Sequence, residues 1–221
     1  MKKFSILLIL LGVLIISLPF LRETYYDWQQ TRVMNDLEQL QNGLSTLNHS
    51  FEQGIQDAAS DEPTTDNTAK AQEASSNTLG VLLIDKIDVR LPILEGATED
   101  NMKVAATHLV ETTRIGNKGN AAIAAHRAHK KGRLFNRLDE LQIGDLMEIT
   151  LADQTIIQYK VDQISVVEPN DLSVLEDPGL GQVLTLITCD PLINPTHRLI
   201  VRAIEVNPDV AGLDRPKVQP N

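Results

Sequence analysis

The apolar residues of the chain fall into three different patterns, and the first is an uncharged run over residues 4–21. At roughly 1.5 Å per residue a helix of that length covers about 27 Å, close to the thickness of a bilayer core. Lys2 and Lys3 precede the run. The pattern predicts a cytoplasmic N-terminus over residues 1–3, a transmembrane anchor over residues 4–21, and an extracellular remainder. A cleaved signal peptide is the alternative, but no small-residue cleavage site follows the run.

The second pattern is a repeat of apolar residues at alternating steps of four and three positions. Such spacing predicts an amphipathic helical stalk over residues 22–55. Two interpretations stay open: a single helix that lies on the following domain, and a weak parallel dimer of two stalks. Residues 56–78 lack the apolar side chains needed for a packed structure and predict a flexible linker. The apolar positions of the repeat are Val33, Leu37, Leu40, Leu44, Leu47 and Phe51.

The third pattern consists of short apolar runs separated by turn residues, and it covers residues 79–206. Frequent short strands with short connections predict a single mostly-β barrel or sandwich. Short helices are predicted over residues 100–107, 134–141 and 170–175. The tail over residues 207–221 is proline-containing and polar, and is predicted to be disordered. The predicted strands are 81–84, 87–93, 121–125, 145–151, 155–167, 183–188 and 198–206.

Charge and composition exclude some classes of function. The 221-residue chain has a formal net charge of −10, and only 4% of its residues are aromatic. An acidic surface repels phosphate backbones, and few aromatic side chains are present to stack on bases, so nucleic acid is not an expected partner. The single cysteine, Cys189, has no partner within the chain for a disulfide.

Three residues suited to nucleophilic catalysis lie at the ends of predicted strands: His126, Cys189 and Arg198. A thiol is a good nucleophile beside a base, and an imidazole can share its proton. A guanidinium can stabilise the negative charge that develops on an attacked carbonyl. This reasoning leaves open whether the three side chains meet in space, since a lone cysteine is also commonly a small buried apolar residue.

Two segments resemble the sequence signatures of the sortase family. The string TLITCDPLINPTHRLIVRA, residues 185–203, is similar to the family's TLxTC motif and the arginine that opens the next strand. The segment GNAAIAAHRAHKKGRLFNRLDELQIGD, residues 119–145, resembles the part of the family that contains its catalytic histidine. Ala125 stands where the family has a small residue, often glycine. The resemblance covers residues 80–206, with both signatures in family order.

The resemblance implies a fold and a set of site residues. The implied fold is mostly β, an eight-stranded sortase-type β-barrel with short helices over residues 79–206, preceded by an N-terminal transmembrane helix and a helical stalk. His126 matches the acid/base histidine, Cys189 the nucleophile, and Arg198 the arginine that binds substrate and stabilises the oxyanion. Thr188 matches the threonine of the TLxTC motif and is predicted to be a substrate-binding residue.

The activity implied by the resemblance is that of a Gram-positive surface transpeptidase anchored in the cell membrane. Such an enzyme cleaves an LPxTG-like sorting signal through a cysteine thioester and transfers the surface protein to a peptidoglycan precursor or another amine acceptor of the cell envelope. The polar C-terminus and the lack of an Asp-Pro-aromatic lid motif favour class A or class D over a pilus-forming class. Two alternatives remain: a membrane-tethered adaptor without catalysis, and a cysteine hydrolase.

No cofactor is predicted, and two groups of residues with metal-binding side chains have other interpretations. The spacing of His126, His129, His197 and Cys189 fits no common zinc pattern, so His129 and His197 are predicted to be polar residues at the rim. His49 and His108 are predicted to lie on the surface. An acidic loop before the cysteine strand is predicted to be solvated, with calcium as the less favoured alternative. Its acidic residues are Glu168, Asp171, Glu176 and Asp177.

Overall fold

A computed structural model of the chain describes residues 77–206 except 131, and residues 12, 16–18, 21, 22, 24–35, 37 and 38. Eight strands form within residues 77–206, and alternate side chains of each longer strand face the interior. The strands are β1 (Thr78–Ile84), β2 (Val89–Glu95), β3 (Ala106–His108), β4 (Gly119–Ala124), β5 (Leu146–Leu151), β6 (Ile156–Val167), β7 (Gln182–Asp190) and β8 (His197–Glu205).

The strands close into one barrel in the order β1-β2-β3-β4-β7-β8-β6-β5, with β5 pairing back to β1. Most neighbours are antiparallel, but β2 pairs with β3 and β4 pairs with β7 in parallel. The interior is one apolar cluster to which every strand except the short β3 contributes at least two side chains, while β3 contributes Ala106. The predicted eight-stranded mostly-β barrel is therefore confirmed.

The short helices differ in extent from the prediction. An α-helix, Glu99–Val104, begins where Thr98 Oγ1 accepts a hydrogen bond from the Asn101 amide at 3.2 Å. The predicted extension of this helix to residue 107 is wrong, because residues 106–108 pair in parallel with β2 and form β3. The other two predicted helices are single 3-10 turns, Leu138–Glu140 and Ser173–Leu175.

His108, predicted to lie on the surface, is buried and only 1% exposed. Its Nδ1 atom lies 3.0 Å from Glu95 Oε1, and its Nε2 atom lies 2.9 Å from the carbonyl oxygen of Thr113. The ring therefore has polar partners for both nitrogens, which is what allows a polar side chain to be buried at low cost. The sequence offered no sign of this, since Glu95 comes from a different strand.

The helical residues 24–35, 37 and 38 lie against the barrel. Val33 and Tyr26 pack on a small apolar cluster that includes Leu94 and Val104, and Leu37 is buried. Val33 and Leu37 belong to the predicted apolar repeat of the stalk. At these two positions the contacts agree with the interpretation of a helix that lies on the following domain. The remaining positions of the repeat lie outside the described residues.

Several predicted segments fall largely or wholly outside the part of the chain that the structure describes. They are residues 1–3, most of 4–21, residues 39–55 of the stalk, the linker up to residue 76, and the tail 207–221. Among the residues that are described, no helix combines the length and apolar character needed to cross a bilayer.

Candidate active site

Two of the candidate catalytic residues lie on neighbouring strands of the barrel, and the third follows the end of the next strand. In the antiparallel pair of β7 and β8, Cys189 is directly opposite Arg198. In the parallel pair of β4 and β7, Ala124 is beside Ile187, and the Ala125 amide continues the ladder with a 3.2 Å hydrogen bond to the Ile187 carbonyl. His126 is the next residue after Ala125. The register therefore brings the backbones of all three residues to one end of adjacent strands.

Strand alternation places Cys189 and Arg198 on the outer face of the barrel. Leu186 of β7, together with Leu199 and Val201 of β8, belongs to the interior cluster. Because successive side chains of a strand point to opposite faces, Cys189 and Arg198 point outward. Ala125 is also in the interior cluster, whereas His126, which follows it beyond the end of β4, is exposed. The Cys189 and Arg198 side chains therefore share one face, and His126 is exposed just beyond the end of the neighbouring strand β4.

The candidate nucleophile, Cys189, and the candidate guanidinium, Arg198, are half-buried. Within the described part of the chain, Arg198 has no carboxylate partner, and its Nη1 atom donates a 3.0 Å hydrogen bond to the His197 carbonyl. Cys189 is a free thiol. Unpaired polar groups beside a nucleophile are what an enzyme needs if those groups are to bind substrate charge instead of each other.

His126 reaches solvent, but the protein removes part of its hydration. This partial desolvation lowers the pKa of His126 below its ordinary value, and the positive charge of Arg133 lowers it further. Lys103 acts in the same direction, whereas Glu99 opposes it. The neutral imidazole is therefore favoured at neutral pH, and a neutral imidazole can accept a proton from a thiol.

The segment after β4 folds back on His126. The Phe135 amide donates a 3.1 Å hydrogen bond to the His126 carbonyl, and Arg127 and Leu134 form an isolated bridge. Leu134 has a φ of 48°, in the left-handed region, which costs a non-glycine residue on the order of 1–2 kcal/mol. Burial of the Leu134 and Phe135 side chains in the interior cluster offsets that cost.

Arg133 is a contributor to the site that sequence reasoning missed. Its side chain is 9% exposed, its Nη2 atom donates to the Lys103 carbonyl at 3.0 Å, and its guanidinium lies 5.2 Å from the centre of the Tyr26 ring.

Substitution of Arg133 by glutamine is expected to raise the pKa of His126, because a positive charge that disfavours the imidazolium is removed.

Nuclear magnetic resonance titration of the His126 ring would check this prediction. Arg137→Gln is the matched control, because Arg137 pairs with Glu140 and Asp88 and does not act on His126. A His126 pKa that stays the same or falls in Arg133→Gln would contradict the electrostatic account.

Thr188 lies one residue before Cys189 and points the other way. It is 2% exposed, and its hydroxyl donates a 2.8 Å hydrogen bond to the Ala125 carbonyl. The side chain therefore joins β7 to the end of β4, immediately before His126. Its predicted contact with substrate stays a prediction.

The outer face of β4, β7 and β8 continues away from Cys189 into a cavity of about 310 Å³. The loop between β6 and β7 covers the cavity. The side-chain amide of Asn120 holds this loop, because its Nδ2 atom donates hydrogen bonds to the Val174 and Glu176 carbonyls at 2.9 and 3.1 Å. Thr185 Oγ1 in turn donates to Asn120 Oδ1 at 2.8 Å. The cavity is lined by polar and apolar side chains, including Gln163, Ser165, Ile200 and Arg202.

Three of the candidate metal ligands take part in other interactions. His197 lies 3.3 Å from Glu168, and its Nδ1 atom lies 2.8 Å from Thr196 Oγ1. Asp171 accepts hydrogen bonds from Ser173. Across residues 77–206, omitting 131, and the described N-terminal residues, no group of three His, Cys, Asp or Glu side chains is arranged to hold a metal ion.

Comparison with known proteins assigns the class and the family. Residues 82–206 match the family model of the sortase domain, and a solved structure described as a Clostridium perfringens Sortase D5 transpeptidase matches with a TM-score of 0.54 and 29% identity. That match covers 65% of this chain and 91% of the other. The protein is a cysteine transpeptidase. It belongs to the sortase family.

Other relatives cover more of the chain. Sortase A of Bacillus anthracis is 31% identical over 199 residues, which are 89% of this chain and 90% of that protein. The structure described as pilus-related Sortase C of Group B Streptococcus has 33% identity and a TM-score of 0.56, and the match covers 68% of this chain and 78% of the other. The similarity to the Bacillus anthracis protein thus extends well beyond the barrel.

Proposed function

We propose that the protein cleaves an LPxTG-like sorting signal and joins the released surface protein to an amine of the cell envelope, with Cys189, His126 and Arg198 as the catalytic residues. The pairing of Cys189 with Arg198 across β7 and β8, one strand from the end of β4 where His126 follows, carries this proposal. Substrate that crosses this face meets a thiol, an imidazole and a guanidinium together.

In the first half of the reaction, His126 accepts the proton of the Cys189 thiol, and the Cys189 sulfur attacks the carbonyl carbon of the threonine in the sorting signal. The carbonyl electrons move onto oxygen, and the Arg198 guanidinium stabilises the resulting negative charge. The bond to the next residue then breaks, and His126 donates a proton to the leaving amine. The product is a thioester between the surface protein and Cys189.

In the second half, an acceptor amine attacks the thioester carbon and forms a new amide. His126, now neutral, accepts the proton that the amine loses, and the Cys189 thiolate leaves. The acceptor is a peptidoglycan precursor or another envelope amine. A water molecule in place of the amine would give the hydrolase alternative, so protection of the thioester from water decides between the two outcomes.

The cavity under the β6–β7 loop suits the upstream part of the signal. Thr185, which lines the cavity, lies four residues before Cys189 on the same strand, a distance of about 13 Å at the rise of an extended chain. The four residues of the signal up to and including the threonine span roughly 13–14 Å when extended. A signal whose threonine carbonyl is at Cys189 therefore reaches the cavity with its first residues.

Arg198→Lys is expected to lower kcat/KM by about 10–100-fold, and Arg198→Ala by about 10²–10³-fold. Lysine keeps the charge but lacks the planar fork of donors, and alanine removes the oxyanion donor entirely. Steady-state peptide cleavage measures the effect. Arg90→Lys is the matched control, because Arg90 is an exposed residue that pairs with Glu38. Equal losses in Arg198→Lys and Arg90→Lys would contradict the assigned role.

A peptide panel tests the proposed function directly. The full-length chain is incubated with LPxTG-like peptides varied at each position, with and without an added amine, and the products are separated by mass. The proposal expects cleavage after threonine and an amide product when the amine is present. Hydrolysis product alone at saturating amine supports the hydrolase, and binding without any cleavage supports the adaptor.

We also propose the setting of the reaction: a single-pass anchor over residues 4–21, an extracellular catalytic domain, and a class A or class D sortase. Sortase A and Sortase D proteins are among its relatives, which supports that class.

The reaction is proposed to need no metal. Full activity in the presence of a chelator, with no change when calcium is added, tests this proposal. Disulfide crosslinking of a Leu40→Cys variant in a Cys189→Ala background tests the weak stalk dimer.

A further inference from the structure

A second row of polar side chains lies directly behind the candidate catalytic residues. Arg127 follows His126, and Asp190 follows Cys189, so strand alternation turns both away from the outer face. Arg127 Nη1 lies 2.5 Å from Asp190 Oδ1, and the Arg127 side chain is only 7% exposed. The two residues are 63 positions apart in the chain and are joined by the parallel alignment of β4 and β7.

The backbone at His126 has little else to align it with β7. The last backbone hydrogen bond between the two segments is from the Ala125 amide to Ile187, and the His126 carbonyl turns to the Phe135 amide instead. Two side-chain contacts bracket this point. Thr188 binds the Ala125 carbonyl one residue before His126, and Asp190 binds Arg127 one residue after it.

We infer that Arg127 is a positioning residue whose ion pair with Asp190 holds His126 in line with Cys189. The inference rests on the proposed roles of His126 and Cys189. Charge-assisted bonds made by arginine are short and directional, so they fix geometry well. Displacement of a reacting group by about 1 Å can lower the rate on the order of 100-fold. Loss of the ion pair between Arg127 and Asp190 is therefore expected to lower kcat.

Arg127 has a second partner that provides a matched comparison. Its Nη2 atom lies 2.7 Å from Asp139 Oδ2, and Asp139 is about half exposed in the 3-10 turn Leu138–Glu140. Asp139 belongs to the same loop as Arg127, so this contact does not connect β4 to β7. Both aspartates bind one guanidinium, but only Asp190 joins the histidine segment to the cysteine strand.

The test compares Asp190→Ala with Asp139→Ala in the full chain, using peptide cleavage kinetics and thermal melting. Asp190→Ala is expected to lower kcat by about 10–100-fold and to leave KM within about twofold, while Asp139→Ala keeps kcat within about twofold. Asp190→Asn retains an oxygen that accepts from Arg127, so it is expected to recover part of the lost kcat. Arg127→Lys, which cannot bind both aspartates with one planar fork, is expected to lower kcat as well.

The inference is overturned if Asp190→Ala has wild-type kcat, if Asp139→Ala loses as much, or if Asp190→Asn is no better than Asp190→Ala. Should Asp190→Ala fail to fold, Arg127→Lys decides: wild-type kcat in that variant refutes the inference. Failure of the proposed function gives a different result, namely activity that persists in Cys189→Ala or His126→Ala. The two failures are therefore distinguishable.

Discussion

Cys189→Ala is expected to lower the rates of peptide cleavage and amide formation by about 10³-fold or more, because no other group in the proposed mechanism can form the thioester. Cys189 is the only cysteine in the chain, so the variant has no thiol at all. The residue is half-buried and lies at the end of β7, and alanine fits in its place. The melting temperature should therefore change little while activity disappears.

Mass-resolved product analysis of the variant and the wild type, at equal concentration and with an added amine, would measure this effect. A thiol titration confirms that the variant lacks the sulfur, and circular dichroism confirms that it is folded. Wild-type rates in Cys189→Ala would contradict thioester catalysis. Undiminished binding of surface proteins without turnover in either protein would favour the adaptor.

His126→Ala is expected to lower kcat/KM by about 10²–10⁴-fold, the range typical of a lost general acid or base. The imidazole is needed twice, to protonate the leaving amine and to accept a proton from the incoming one. The side chain reaches solvent and has no hydrogen-bond partner in the described part of the chain, so its loss should scarcely affect stability.

His129→Ala is the matched control for this variant, because His129 is an exposed histidine three residues further along the same segment. It is expected to keep activity within about twofold, as surface substitutions away from a site usually do. Steady-state kinetics of both variants provide the comparison. Similar losses in the two variants would show that the segment as a whole, and not the His126 ring, supports the reaction.

Most strands could be predicted because each contains a short apolar run bounded by turn residues. The exception, β3, is only three residues long and continues the apolar positions of the preceding helix. Its pairing with β2 decides its structure, and no local pattern reports that pairing. The burial of His108 follows from the same contact, because the β2–β3 register places it beside Glu95.

The stalk shows a related limit of sequence patterns. Periodicity identifies which face of a helix is apolar but not what covers that face. The repeat was compatible with a second stalk or with the barrel. At Val33 and Leu37 the covering surface belongs to the same chain. Ion pairs of Asp27 with Lys130, and of Glu38 with Arg90, add to this contact.

The candidate site was predictable as a set of residues but not as an arrangement. Resemblance supplied His126, Cys189 and Arg198, and their positions at strand ends suggested a common rim. No sequence pattern indicated the ion pair between Arg127 and Asp190. The two residues are 63 positions apart, and they meet because of the register between β4 and β7. Arg133 was equally hidden, since its influence on the pKa of His126 arises from the fold of the loop.

The most direct test of the account is intact-mass analysis of the full-length protein caught during turnover of an LPxTG-like peptide. The account predicts a transient adduct with the mass of the peptide acyl group, located on Cys189 by fragmentation. It also predicts that an added amine discharges the adduct into an amide. Cleavage of the peptide with no adduct, or with the adduct on another residue, would contradict the account.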